Sequence, residues 1–241
     1  MKNWTKYSVQ KAKKIIAVSQ NTKKDLEKLY AIAEDKIEVI YNGYQKEIRD
    51  PRSEIKISNF KFQISNYILY VGTLQPRKNV QTLIKTFFKF NNLHPEFRLI
   101  IAGKKGWMYD EIFTLVKKLD LSNKVQFVGY VTDQELTRLY KNAFCLIMPS
   151  LYEGFGIPIL EAMSHDCPVI SSNTSSLPEV GGDSCLYFDP TDENSLFQKM
   201  EELKNDAKLR SRLIEIGQEQ VKKFSWEKCA KQTLDLLKEA G

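Results

Sequence analysis

Two carboxylates, Glu153 and Glu161, stand seven residues apart in a setting that suits chemistry. Glu153 lies in the run Ser150-Leu-Tyr-Glu-Gly-Phe-Gly-Ile-Pro158, and Glu161 follows in Ile-Leu-Glu-Ala162. The residues just before, Cys145-Leu-Ile-Met148, are apolar and short enough for a buried strand. Pro158 sits where a first helical turn tolerates proline. The segment therefore reads as a strand, a glycine loop and a helix N-terminus. Gly154 and Gly156 let the backbone approach a ligand and adopt positive φ. Free N–H groups and the dipole of the helix start suit an anion such as a diphosphate. Carboxylates beside an anion site need another partner. Sugar hydroxyls are the natural one, because they donate charge-assisted hydrogen bonds to carboxylates.

A scaffold able to hold that loop is written in the alternation of the chain. Short apolar runs at 68–71, 98–102, 125–128, 145–148, 169–171 and 186–188 read as strands. Helical patterns fall at 79–90, 110–119, 133–142, 157–164, 193–205, 208–222 and 226–240. Thr132-x-x-Glu135 and Ser176-x-x-Glu179 have the spacing of capping boxes. Apolar strands alternating with amphipathic helices predict an α/β fold, a Rossmann-like doubly wound parallel sheet covered on both faces. Such sheets bind ligands at the carboxyl ends of their strands, at the topological switch point.

The first 45 residues differ. Strands at 15–18 and 36–40 with a helix at 21–30 are too little for a domain. The two strands would lack sheet neighbours, so they are expected to fray, pack back or recruit a partner. They read as the tail of a preceding Rossmann-like domain mostly absent from this sequence, whether as a fragment or a split gene product. An irregular stretch, 46–66, reads as a linker.

Composition narrows the classes. Of 241 residues, 42% are hydrophobic and 27% charged, which excludes global disorder. No apolar run approaches the ~20 residues of a membrane span, and no signal-peptide core follows the basic N-terminus. The four cysteines form no CxxC pair, and two histidines complete no zinc spacing. They read as small buried hydrophobes of a reduced, cytoplasmic protein. His165 reads as a helix C-cap and His94 as loop. The net charge, 36 − 30 = +6, is mild, and no nucleic-acid motif accompanies it. Lys11 to Lys14 form a solvated basic face or, at most, a peripheral contact with anionic membrane.

The Glu153-x7-Glu161 pair resembles the signature of retaining glycosyltransferases of the GT-B architecture, family four (glycosyl transferases group 1). Flanking segments agree in order. Ile68-Leu-Tyr-Val-Gly72-Thr73-Leu-Gln-Pro-Arg77-Lys78-Asn79 resembles that family's first donor-domain strand and phosphate loop, in the Pro-Arg-Lys-Asn form of a mannosyltransferase-like branch. Leu99-Ile-Ile-Ala-Gly103, Val125-Gln-Phe-Val-Gly129-Tyr130-Val131, Ser175 to Gly181 and Phe188-Asp-Pro190 resemble later segments, and Ile37-Glu-Val-Ile-Tyr-Asn-Gly43 the end of an acceptor domain.

The resemblance implies hexosyl transfer, with retention, from a nucleotide-diphosphate sugar, GDP-mannose-like or UDP-linked, to a glycan or lipid-linked acceptor. It assigns 67–223 to nucleotide-sugar binding and 224–241 to a helix crossing towards the acceptor domain, its stripe of Trp226, Cys229, Thr233, Leu236 and Leu237 partly exposed. Glu153 would contact donor-sugar hydroxyls, and Glu161 the ribose. Lys78 would pair with the diphosphate. Gly72, Thr73 and the backbone of Gly154, Phe155 and Gly156 would line sugar and phosphate. Gly129, Tyr130 and Val131 would read the base. Many members have arginine where this chain has Thr73, so Arg77 either reaches the phosphate or points to solvent. No cofactor or metal is implied, and no Asp-x-Asp motif occurs. The alternative is a nucleotide-sugar-binding module that transfers only with a partner chain or the missing N-terminal domain.

Overall fold

The computed structural model describes residues 2–44, 66–107 and 109–240. The linker expected at 46–66 lies, but for Asn66, outside the described residues. The chain opens with α1 (Lys2–Lys11), β1 (Ile15–Ala17), α2 (Gln20–Tyr30) and β2 (Ile37–Val39). There follow β3 (Tyr67–Val71), α3 (Val80–Leu93), β4 (Arg98–Ala102), α4 (Asp110–Lys118), β5 (Val125–Gly129) and α5 (Asp133–Asn142). Then come β6 (Cys145–Met148), α6 (Ile157–Ser164), β7 (Val169–Ser172), α7 (Leu177–Gly181) and β8 (Cys185–Phe188). The helices α8 (Glu193–Asn205), α9 (Ala207–Val221) and α10 (Trp226–Ala240) end the chain.

Strands β3 to β8 form one parallel sheet in the order β5-β4-β3-β6-β7-β8. Side chains alternate across it, as a period of two requires. Ile68, Tyr70, Leu99 and Ile101 enter one core with Leu83, Ile84, Phe87 and Phe90 of α3. Leu69, Ile100 and Ala102 enter a second with Leu139 and Tyr140 of α5 and Ile159 and Leu160 of α6. Both faces are covered, so the strands carry apolar residues at nearly every position. The chain runs outward from β3 to β5, then returns to the other side of β3 with β6 and runs outward to β8. The switch point lies between β3 and β6.

The strands at 15–18 and 36–40 do not lack neighbours. They pair with each other in parallel, Ile15 opposite Ile37, over a small cluster of Val9, Ala17, Ile32 and Ile37. This unit packs back on the larger one, with α2 lying over the loop after β6. No residue of α2 is fully buried, so hydrogen bonds rather than apolar area dock it. Ser19 and Thr22 donate to the Gly154 carbonyl at 2.9 and 3.3 Å. Tyr152 donates to Asp25 at 2.6 Å. Glu179 accepts from the backbone N–H of Gln20 at 2.7 Å and of Asn21 at 3.3 Å, and from the Tyr41 hydroxyl at 2.7 Å.

Those bonds correct one expectation. Thr132 and Glu135 do form a capping box at α5, but Ser176 and Glu179 do not cap α7. Ser176 is helical in backbone and makes no cap bond. Its hydroxyl instead donates to the carbonyls of Glu153 and Phe155, each at 2.9 Å. The start of α10 lies against the N-terminal unit. A Cβ on Gly43 would stand 2.1 Å from the Trp226 nitrogen. Of the stripe on α10, Leu236 is buried, whereas Trp226 and Leu237 are exposed. No helix among the described residues is long and apolar enough to cross a membrane.

Candidate active site

The loops after β3 and β6 meet at the switch point, and their charged residues meet there too. Glu153 is buried. Its Oε1 accepts from Lys78 Nζ and, at 2.7 Å, from the Ser150 hydroxyl. Its Oε2 pairs with Arg77 Nη1 at 3.1 Å. Arg77 also donates to the Tyr152 carbonyl at 2.8 Å. Arg77 turns its Nη1 onto the carboxylate while the rest of its side chain stays largely exposed. Lys78, expected to face a diphosphate, holds Glu153 as well. Two cations against one carboxylate leave the cluster with a local excess of positive charge. Beneath it, Tyr70 is held well above the usual phenol range by burial, and secondarily by the Glu153 charge.

The backbone around Glu153 is fixed independently of its side chain. The Ser175 hydroxyl accepts from the Glu153 N–H at 2.9 Å. Gly156 has φ 114°, and a Cβ there would stand 2.8 Å from Leu177 Cδ2. It caps α6 without a side-chain bond; in the first turn Pro158 has no N–H, and the Ile159 N–H donates to the Gly156 carbonyl at 3.0 Å. Gly154 departs from expectation. Its φ is not positive, and its carbonyl serves α2. Phe155 is buried against Tyr41 and Phe224, with ring centroids 6.1 and 5.8 Å away, so only its backbone can face a ligand.

Glu161 lies a turn into α6 and accepts from the Tyr140 hydroxyl at 2.9 Å. Burial raises its pKa above the usual carboxylate range. Gly72 and Thr73 follow β3 at the switch, with the Gly72 N–H donating to the Ala102 carbonyl at 2.9 Å. At the end of β5, Gly129 takes φ 72°. Tyr130 is exposed beneath Lys104 Nζ, 4.7 Å from the ring centroid, and Val131 packs on the second core. His165 caps α6, its Nδ1 2.7 Å from the Glu161 carbonyl. His94 ends α3 and pairs with Glu201 at 2.6 Å. Among the described residues no three His, Cys, Asp or Glu side chains group as a metal site requires. Sequence reasoning missed Ser150, Ser175, Tyr140 and the docking role of Glu179. Each is a polar residue just beyond a strand or inside a helix, and only tertiary pairing reveals its partner.

The doubly wound parallel sheet, with a short parallel unit docked across the loop after β6, is the GT-B class of fold, as its structural neighbours show. Sucrose-phosphate synthase from Thermosynechococcus elongatus superposes on 98% of the chain with TM-score 0.83 and 25% identity, over 60% of its own length. A glycosyltransferase from Rickettsia africae ESF-5 does so on 99%, with TM-score 0.82 and 24% identity, over 67% of its own. The chain belongs to the family Glycosyl transferases group 1, which it matches over residues 51–220, while residues 1–47 match Glycosyltransferase Family 4. O-antigen chain mannosyltransferase B of Escherichia coli is 34% identical over 236 residues. That alignment covers 96% of this chain, which spans 62% of the length of that relative.

Proposed function

We propose that the chain binds a nucleotide-diphosphate hexose in the crevice between the ends of β3 and β6 and serves its transfer, with retention, to a glycan or lipid-linked acceptor. The cluster of Arg77, Lys78 and Glu153 carries the reading. In the structure the two cations pair with Glu153. An entering diphosphate offers them a doubly charged partner, and Glu153 is released towards the hexose hydroxyls. Lys78 and Arg77 then stabilise negative charge as it builds on the leaving nucleotide, and no bound metal is needed for that task. The bond from the anomeric carbon to the phosphate oxygen breaks, and a bond to the acceptor oxygen forms on the same face. The acceptor proton passes to the departing phosphate oxygen. A covalent route through Glu153 is the less favoured option, because the released carboxylate is assigned to the hexose hydroxyls.

Glu161 is assigned to the ribose hydroxyls. The loop backbone at Gly72, Thr73, Gly154, Phe155 and Gly156 is assigned to sugar and phosphate, and Gly129, Tyr130 and Val131 to the base. The name of the mannosyltransferase relative supports a GDP-mannose-like donor, with a UDP-sugar as the alternative. We place the protein in the cytoplasm, with at most peripheral membrane contact.

Thermal unfolding with UDP, GDP, ADP, CMP and dTDP tests the reading. A ligand at 100 times its dissociation constant adds about 2.7 kcal/mol, which for a chain of this size raises Tm by roughly 5–11 °C. One nucleotide is expected to give that shift, and Lys78→Ala to diminish it. No shift with any of them refutes the donor site. The second reading, a binding module that needs a partner chain for transfer, draws support from the 62% span of the relative. Turnover of the matching nucleotide sugar with a supplied acceptor separates the two.

A further inference from the structure

Glu161 is held at its carboxylate by Tyr140 and at its backbone carbonyl by His165 and Ser164, groups that the proposed reaction does not use. Tyr140, on α5, is buried, and its hydroxyl donates to Glu161 Oε2 at 2.9 Å. The Tyr140 ring stacks on His165, with centroids 5.8 Å apart and planes 14° apart. His165 is itself buried and is tied to the backbone carbonyl of Glu161 through Nδ1 at 2.7 Å. That carbonyl also accepts from the Ser164 hydroxyl at 2.8 Å. With Nδ1 engaged by a carbonyl, the proton is assigned to Nδ1. Nε2 is then the bare nitrogen, and it is buried with no partner among the described residues. The ring thus stacks against Tyr140, and Tyr140 in turn fixes one oxygen of Glu161. The other oxygen, Oε1, takes no partner among the described residues.

We propose that Tyr140 is the positioning residue for Glu161: it holds Oε2 so that Oε1 is aimed at a ribose hydroxyl, and it thereby sets how strongly the site prefers ribonucleotides over nucleotides lacking those hydroxyls. This rests on the reading of Glu161 as the ribose ligand. The hydroxyl does two things for the carboxylate. It removes the rotational freedom that a carboxylate one turn into a helix otherwise has, so a hydroxyl ligand meets a preset acceptor. It also favours the ionised form, which accepts the stronger hydrogen bond. Burial pushes the Glu161 carboxyl up, the Tyr140 bond pulls it down, and Asp133, also on α5, pushes it up again. His165, at the end of α6, meets the backbone carbonyl of Glu161. Without the Tyr140 hydroxyl, burial and Asp133 act unopposed.

The test compares GDP with 2′,3′-dideoxy-GDP, and UDP with 2′,3′-dideoxy-UDP, by titration calorimetry from pH 4.5 to 8. A charge-assisted bond to a ribose hydroxyl is worth about ten- to a hundredfold in affinity. The wild-type chain is expected to show that preference for the ribonucleotide and to lose it towards acid pH. Tyr140→Phe is expected to lower ribonucleotide affinity severalfold while leaving the dideoxy compound unchanged, and to move the acid loss to higher pH. Glu161→Gln keeps an acceptor for Tyr140. It is expected to abolish both the preference and its pH dependence, and Tyr140→Phe added to it should change nothing further.

If Tyr140→Phe weakens both compounds equally, or leaves the preference and the pH profile intact, Tyr140 is only structural and the proposal falls. If Glu161→Gln keeps the full preference, or the wild-type chain shows none, the ribose reading itself falls and the proposal with it. Should Tyr140→Phe not fold, Glu161→Asp serves. One methylene shorter, it cannot reach the Tyr140 hydroxyl and the ligand together, and an undiminished preference in that variant overturns the proposal.

Discussion

Glu179→Ala should release the N-terminal unit from the rest of the molecule without unfolding the main sheet. The carboxylate accepts two backbone N–H groups at the start of α2 and the Tyr41 hydroxyl. Truncation leaves these three donors to water. Losing a carboxylate from a helix start costs about 1 kcal/mol. Losing the Tyr41 bond, made to a charged but partly exposed group, costs a further ~1–2 kcal/mol. Helix α2 itself should persist, because Ser19 still accepts from the Thr22 N–H at 3.0 Å. No residue of α2 is fully buried, so the apolar contacts that remain are those of Val18, Tyr41 and Tyr44 on the second core. Backbone hydrogen exchange reads the result directly. A loss of about 2–3 kcal/mol corresponds to exchange faster by roughly 30- to 140-fold, confined to residues 15–44, while β3, β4 and β6 keep their protection. Uniform acceleration across the sheet would falsify the picture of a separately docked unit. Unchanged exchange at Gln20 and Asn21 would show that the carboxylate is not what holds them.

Three further outcomes follow from the site. Glu153→Gln should bind nucleoside diphosphate about tenfold more tightly, because Lys78 and Arg77 no longer leave a carboxylate to meet phosphate. It should also lose transfer, and calorimetry beside a turnover assay checks both. Glu161→Gln should melt higher than the wild type at pH 7, because burial raises the pKa of the native carboxyl. A raised value means that the folded chain takes up the proton more readily than the unfolded one. Stability is then greatest below the unfolded pKa and falls as pH rises through the folded one. The gap between variant and wild type should accordingly close towards pH 4 in a melting series. Gly156→Ala should lower Tm by ~2–8 °C, since alanine at φ 114° costs ~1–2 kcal/mol and its Cβ would press on Leu177.

Most of what is local was legible in the sequence. Strands β4 and β6 and helices α5, α6, α8 and α10 fall on the residues expected, because each is a short apolar run or an amphipathic period bounded by turn residues. Helix α1 escaped, since Lys2 to Lys11 puts Trp4 and Tyr7 outward and, among its described side chains, buries only Val9, too little for a periodic signal. The Ser176–Glu179 spacing misled for a related reason. A capping box is a statement about neighbours in sequence, and both side chains were claimed by partners more than 20 residues away. The ion cluster lay beyond local reading altogether. Lys78 and Glu153 are 75 residues apart, and only the strand order brings the loops after β3 and β6 together.

That order also explains how one loop can be rigid and responsive at once. Between residues 153 and 155 the backbone is satisfied from three sides. Ser175 takes the Glu153 N–H, Ser176 donates to the carbonyls of 153 and 155, and Ser19 with Thr22 donates to that of 154. None of these bonds involves a group that a diphosphate would displace. The Glu153 side chain, by contrast, is held chiefly by Lys78 and Arg77, and an anion competes for these two. Ligand entry therefore need not rebuild the loop, which would cost conformational entropy for every residue ordered anew. The change falls on one carboxylate and two cations, and a preformed backbone keeps the released carboxylate within reach of the crevice. The N-terminal unit enters this arrangement through Ser19, Thr22 and Asp25. Its docking is therefore part of what holds the Glu153 loop, and a variant that undocks it should raise the mobility of residues 152–154 even though every residue of the cation–carboxylate cluster is intact.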